Sequence, residues 1–161
     1  MDFKVRLANE GDVKKIFELS NDPIVRQNSF NSDLIKWEDH IKWFKNKIKD
    51  KDCVYFIVED EAGEFIGQVR FDRLLDVQDE YFIGISISEN FRGMGLGSLI
   101  LKDTSNRLLQ DYKARKINAY IRDANSVSIK SFLRTGYKVH KKELINGIKS
   151  LRLGYSCLAK L

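Results

Sequence analysis

The chain has 161 residues, 43% apolar and 32% charged, the composition of one soluble domain long enough to bury a core. Its formal charge of +5, from 28 basic and 23 acidic residues, favours anionic ligands without the concentrated basic face that nucleic-acid binding needs. No run approaches the ~18 apolar residues of a membrane span. Met1 to Leu7 alternates like a strand and lacks a signal-peptide core, so a cytoplasmic protein without membrane partners is expected.

Residues 2–7 read as a first strand. Asn9 to Asp12 offers helix-start chemistry, and Val13, Ile16, Phe17 and Ser20 share a helical face that ends near Asn21-Asp22-Pro23, where the only proline blocks continuation. Residues 26–31 read as a polar loop with one aromatic, Phe30. A second helix is expected over about 36–49, with Trp37, Ile41, Phe44 and Ile48 at helical spacing and Lys42, Lys45, Lys47 and Lys49 on a solvated face. Strands over 53–59 and 65–72 pair as a hairpin across the 60–63 turn, and 80–88 adds another. A long helix follows to about Tyr112, then a strand over 116–122. A shorter helix is capped by Asn125 and closed by Gly136, and two strands over 137–144 and 148–158 are joined by Asn146-Gly147. Cys53 and Cys157 each sit in an apolar strand pattern and are expected to be reduced and buried. With no CxxC, and with His40 and His140 unpaired to them, no metal site is expected.

The stretch that organises the chain is Ile83-Gly-Ile-Ser-Ile-Ser-Glu-Asn-Phe-Arg-Gly-Met-Gly-Leu-Gly97. Ile83, Ile85 and Ile87 alternate with small residues as in a strand, glycines turn the chain, and an apolar helical pattern starts at once. Free backbone N–H groups and a positive dipole end meet at such a point, which suits phosphate. The dinucleotide fingerprint fails because Ser98 stands where its third glycine belongs, and the Gly-Lys-Ser/Thr of a P-loop is absent. Arg92-x-x-Gly95-x-Gly97 resembles the acyl-CoA pyrophosphate loop of the GNAT N-acetyltransferase superfamily.

The element order also resembles that superfamily over essentially the whole chain. The resemblance implies one α/β domain of α+β type over residues 1–161. Its mixed, mostly antiparallel sheet would have about seven strands and be flanked by about four helices, splayed where 80–88 and 116–122 part. It implies acetyl-CoA as acetyl donor, with Ile85, Ser86 and Ile87 pairing with the pantetheine arm and the Ile87 N–H facing the thioester carbonyl. Arg92, Gly93, Met94, Gly95, Leu96, Gly97 and Ser98 would hold the pyrophosphate. Asn125 to Tyr137 resembles the second family motif, in which Asn125 touches the pantetheine and also serves as an N-cap. Its departure is Phe132, where a tyrosine often protonates the leaving thiolate. Glu80 is expected as the base, with His40 as the other group titrating near neutral pH. Monomers or homodimers are implied.

Gln68, Arg70 and Asp72 alternate with Val69 and Phe71, giving one strand face that suits an anionic, polyhydroxylated amine. Residues 21–31 and 66–72 resemble the branch that acetylates amino-sugar nucleotides in pseudaminic acid biosynthesis. That resemblance places Arg26, Ser29, Phe30, His40, Trp43, Gln68, Arg70 and Asp72 on the acceptor side, for the 4-amino group of a UDP-linked amino-deoxy sugar. The alternatives are an N-terminal protein acetyltransferase of the ribosomal-protein type and a non-catalytic CoA-binding module.

Overall fold

The computed structural model describes residues 1–157. Strand β1 (Phe3–Leu7) leads through a one-turn 3-10 helix (Glu10–Asp12) into α1 (Val13–Ser20), α2 (Pro23–Asn28) and α3 (Trp37–Lys49). Strands β2 (Cys53–Asp60), β3 (Phe65–Arg73) and β4 (Glu80–Ile87) follow. Then come α4 (Leu96–Asp111), β5 (Lys116–Arg122), α5 (Ser126–Thr135), β6 (Lys138–Ile145) and β7 (Ile148–Ser156). The strands form one sheet in the order β1-β2-β3-β4-β5-β7-β6, antiparallel except for the β4–β5 pair. No helix among the described residues is long and apolar enough to cross a membrane.

Local chemistry explains the boundaries. Asn9 and Asp12 form a reciprocal capping box, and the Arg6 guanidinium bonds both Asp12 and Glu59 at 2.7–2.8 Å, tying the α1 entry to β1 and β2. Asn146 (φ 50°) and Gly147 (φ 76°) give the two positive-φ residues of the β6–β7 turn. Asn125 accepts from the Ser128 N–H, and Gly136 (φ 110°) closes α5 as expected.

Three expectations change. Five α-helices are present instead of four, because Pro23 starts α2 at its first position under an Asp22 cap, where its missing N–H costs nothing. On α3 the buried residues are His40 and Phe44, while Trp37 and Ile41 are each 38% exposed, so the inner stripe is rotated from the one expected. Cys157 follows the last strand and is exposed, whereas Cys53 is half-buried.

The sheet separates two cores. Odd-numbered β4 and β5 residues join Leu96, Ile100, Leu101 and Leu108 of α4 in the larger one. On the opposite face Tyr55 and Ile57 of β2 pack with Ile16 of α1 and Phe44 of α3. Even-numbered residues of β4 and β5 point to that second face.

Candidate active site

β4 is registered with β3 along its whole length, from Gly67 opposite Ile87 to Arg73 opposite Tyr81. With β5 it is registered only over Glu80–Phe82 against Lys116–Asn118, and from Ile83 onward the two parallel strands part. The Ser88 N–H donates to the Ile66 carbonyl, and the Leu74 N–H to the Glu80 carbonyl, each at 2.8 Å. Even-numbered β4 residues therefore direct their backbone groups to β3, and Ile83, Ile85 and Ile87 direct theirs into the gap. Such an edge accepts an extended amide-bearing ligand as a sheet accepts another strand. At the apex Asn118 is 1% exposed; its Nδ2 donates to the Tyr81 carbonyl at 3.3 Å, and its buried Oδ1 has no partner.

The loop after β4 ends in α4, whose first turn carries no side-chain cap, so its N–H groups remain open to an anion. Gly93 (φ 75°) and Gly95 (φ 74°) adopt the left-handed conformation, and a Cβ on either would meet nothing within 4 Å. Their glycines serve the turn, and the space above them is free for a ligand. Met94 is 56% exposed, Leu96 is buried in the core, and the half-buried Ser98 gives its carbonyl to Thr135 Oγ1 at 3.3 Å.

Arg92 is turned inward. Its Nε donates to the Ile87 carbonyl at 2.9 Å and its Nη2 lies 3.0 Å from Asp22 Oδ1. The side chain braces the loop, and the groups there that stay open to an anion are the backbone N–H groups at the start of α4.

On the even face, Arg70 lies directly opposite Gly84, Gln68 opposite Ser86 and Asp72 opposite Phe82. A Cβ on Gly84 would meet nothing within 4 Å, so the sheet has an opening beside Arg70. Arg70 Nε bonds Asp72 Oδ2 at 2.8 Å, Lys47 Nζ bonds Asp72 Oδ1 at 2.7 Å, and the Arg70 guanidinium lies 4.8 Å from the Trp43 ring centre. Lys47 thus leaves the solvated face expected for it. Burial alone would push the Asp72 carboxyl up, but Arg70 and Lys47 outweigh it and hold it below the usual carboxylate range. Burial, reinforced by Asp72, pushes the Cys53 thiol up to about 12, which removes it as a nucleophile. Gln68 is taken up by the Tyr55 hydroxyl, which donates to its Oε1.

The remaining expected residues divide. Phe82 packs against Tyr120 at a tilt of 37° with ring centres 5.0 Å apart at the mouth of the gap, and Arg122 Nη1 bonds the Gln27 and Ser29 carbonyls, bringing the Ser29–Phe30 loop beside β5. Sequence reasoning missed Phe82, Tyr120, Arg122, Asn118 and Asp22; the even-numbered register of the parting strands was the available signal for the first four. Arg26 has its guanidinium nitrogens engaged within its own segment. Its Nε bonds the Ser20 carbonyl at 2.6 Å and its other nitrogens bond the Asn31 and Asp33 carbonyls and Ser29 Oγ, so it staples α1 to the loop. Ser29 Oγ is likewise engaged, donating to the Val25 carbonyl at 2.6 Å.

His40 is also corrected. It is 2% exposed among Phe17, Trp37, Trp43 and Phe44, with Nε2 2.9 Å from the Val13 carbonyl, and burial lowers its pKa. It is a core residue. Phe132 is 3% exposed and meets Tyr137 edge-on at 4.8 Å, while the Tyr137 hydroxyl bonds Ser105 Oγ at 2.8 Å inside the core, its pKa raised by burial. Neither position presents a proton donor to the gap. Glu80 lies on the even face, half-buried, 3.8 Å from Arg115 Nη2.

Residues 3–138 match the model of the acetyltransferase (GNAT) domain. The chain belongs to the GNAT acetyltransferase family. Acetyl-CoA is the acetyl donor of this family, and the open β4 edge and uncapped α4 terminus fit an amide-bearing arm followed by a pyrophosphate. Among curated relatives, an uncharacterized protein of Methanocaldococcus jannaschii is 27% identical over 144 residues, covering 86% of this chain and 28% of its own length. An N-alpha-acetyltransferase of Sulfurisphaera tokodaii is 23% identical over 106 residues, covering 60% of this chain and 63% of its own length. The chain thus spans less than two thirds of both. The fold of this GNAT chain is shared with a spermidine N-acetyltransferase from Vibrio cholerae solved with CoA and spermine, at TM-score 0.87 and 18% identity over 96% of this chain and 95% of that one. A phosphinothricin N-acetyltransferase assignment belongs to another such structure, at TM-score 0.80 and 22% identity over 96% and 98%.

Proposed function

We propose that the chain is an acetyl-CoA-dependent N-acetyltransferase whose acceptor is a primary amine on an anionic small molecule, the 4-amino group of a UDP-linked amino-deoxy sugar. The observation that carries the anionic acceptor is the Lys47–Asp72–Arg70 cluster beside the Gly84 opening, with two cations for one carboxylate. A polyamine would be repelled there. Trp43, Phe82 and Tyr120 supply apolar rings to the same face for a sugar or base.

Acetyl-CoA brings the thioester, from whose carbonyl the amine displaces the thiolate as the C–N bond forms and the C–S bond breaks. Ile85 and Ile87 align the arm through the open β4 edge, and the Ile87 N–H stabilises the developing oxyanion. The N–H groups of Gly93 to Ser98 hold the pyrophosphate. The amine must shed a proton. Glu80, seven residues or about 23 Å along the strand from Ile87, takes it through a chain of waters in the gap. A free thiol has a pKa of about 8.5, so the departing thiolate needs no side-chain acid, consistent with phenylalanine at 132.

The test is to incubate the protein with acetyl-CoA and a UDP-4-amino-4,6-dideoxyhexose while following free CoA and the mass of the sugar nucleotide. Addition of one acetyl group supports the reading. Turnover only with spermidine or with peptide N-termini overturns the acceptor class, and binding of acetyl-CoA with no turnover on any amine leaves a CoA-binding module.

A further inference from the structure

The even face of β5, β7 and β6 continues the acceptor side beyond the gap. Across it Asn118, Gly154 and Lys138 form one row and Tyr120, Arg152 and Lys141 the next. His140 is the extra residue of the β6 irregularity between Val139 and Lys141. Its ring lies over Gly154, where a Cβ would collide with the imidazole and come within 2.9 Å of Lys116 Cε. Glycine there lets His140 and Lys116 converge on one spot. Arg152 Nε is buried without a hydrogen-bond partner. Among the described residues Lys116, Lys138 and Arg152 make no ion pair, and Lys141 reaches only Glu143, at 3.8 Å. Such a cluster repels itself until an anion arrives. It is also small, because Glu143 and Asp123 border its next row.

We propose that Lys116, Lys138, His140 and Arg152 form a phosphate subsite that holds the phosphate or diphosphate ester of the acceptor while its amine reaches the gap. The subsite rests on the reading that the acceptor is an anionic amine. Its centre lies two strands from β4, about 10 Å, level with Phe82 at the Glu80 end of the gap. The tilted Phe82–Tyr120 pair lies on its β4 side. Burial and the charges of Lys116, Arg152 and Lys138 lower the His140 pKa; Lys141, Glu143, Arg122 and, registered with Lys116 on β4, Glu80 are the other charged groups on that face. A bound phosphate reverses the sign of this field and draws a proton onto the ring.

The experiment follows the His140 ring by NMR through a pH titration of the full chain, with CoA saturating so that the glycine loop is filled, with and without inorganic pyrophosphate. His40 serves as the reference for an intact fold. The expected result is an upward shift of the His140 midpoint on adding pyrophosphate, with about tenfold weaker pyrophosphate binding in K116Q/R152Q and unchanged CoA affinity. An unmoved midpoint, or equal pyrophosphate affinity in the variant, overturns the subsite. Tighter binding of an oligouridylate than of uridine diphosphate, lost in the same variant, overturns it in favour of an RNA surface. CoA binding is measured in the same samples, so failure of the acetyl-CoA reading is seen separately from failure of the subsite.

Discussion

Arg92 Nη2 and Asp22 Oδ1 lie 3.0 Å apart, and this one contact joins the glycine loop to the start of α2. The same carboxylate oxygen accepts the Ile24 and Val25 N–H groups at 2.9 and 3.2 Å. One atom therefore caps a helix and steadies the arginine that closes the Ile87 carbonyl. Asp22→Asn keeps a capping oxygen and loses the charge; the expected outcome is a KM for acetyl-CoA raised several-fold with little loss of stability. Asp22→Ala also removes the cap, costing about 1 kcal/mol more in denaturant unfolding. Burial alone would raise the Asp22 pKa, but Arg92 and the capped N–H groups lower it. Its contribution is thus present above the ordinary carboxylate value and lost as pH falls below about 4.

Arg70 and Lys47 share Asp72, and the two cations should separate kinetically. Arg70→Gln removes the charge beside the Gly84 opening. The expected effect is a rise of about tenfold in acceptor KM with the acetyl-CoA KM unchanged. Asp72→Asn leaves both cations without their partner and is expected to destabilise the fold by about 1–3 kcal/mol. Equal KM values for anionic and neutral amines in the Arg70 variant and the parent would show that Arg70 does not select the acceptor.

Glu80 tests the proton path. Glu80→Gln is expected to lower kcat/KM about tenfold near pH 6.5, where the amine is protonated, and to approach the parent rate near pH 9. A uniform loss at all pH values would indicate a positioning effect through Arg115, 3.8 Å away. An unchanged profile would remove Glu80 from the reaction.

His40 shows where periodicity misleads. Trp37, Ile41, Phe44 and Ile48 have helical spacing, yet the helix turns His40 inward because its imidazole finds the Val13 carbonyl and four aromatic rings. The strand-loop-helix unit at 83–97 was legible because its signals are local: alternation, glycines and an apolar start. The gap between β4 and β5 was reached by resemblance alone, since it depends on Asn118 replacing a backbone partner 37 residues away. The inward turn of Arg92 and Arg26 was illegible for the same reason. Both are satisfied by carbonyls or carboxylates whose positions only the tertiary fold fixes. Burial lowers the His40 pKa, so the neutral form stabilises the fold fully above the unfolded value of about 6.5, and that stabilisation is lost as pH falls below it. The parent melting temperature is expected to drop between pH 7.5 and 5.5, and His40→Gln to be less stable at pH 7.5 with a shallower drop.

Phe132 decides whether the leaving thiolate needs an acid. Its ring is 3% exposed and packed edge-on against Tyr137, which spends its own hydroxyl on Ser105. Phe132→Tyr places a hydroxyl in this core, where an unpaired one costs about 1–3 kcal/mol. The expected outcome is a lower melting temperature with turnover and pH profile unchanged, because the thiolate departs without a side-chain donor at this position. A faster reaction with a new alkaline limb would mean the opposite. The hydroxyl would then have reached the gap and begun to protonate the sulfur, and the parent rate would be limited by the acid that phenylalanine lacks.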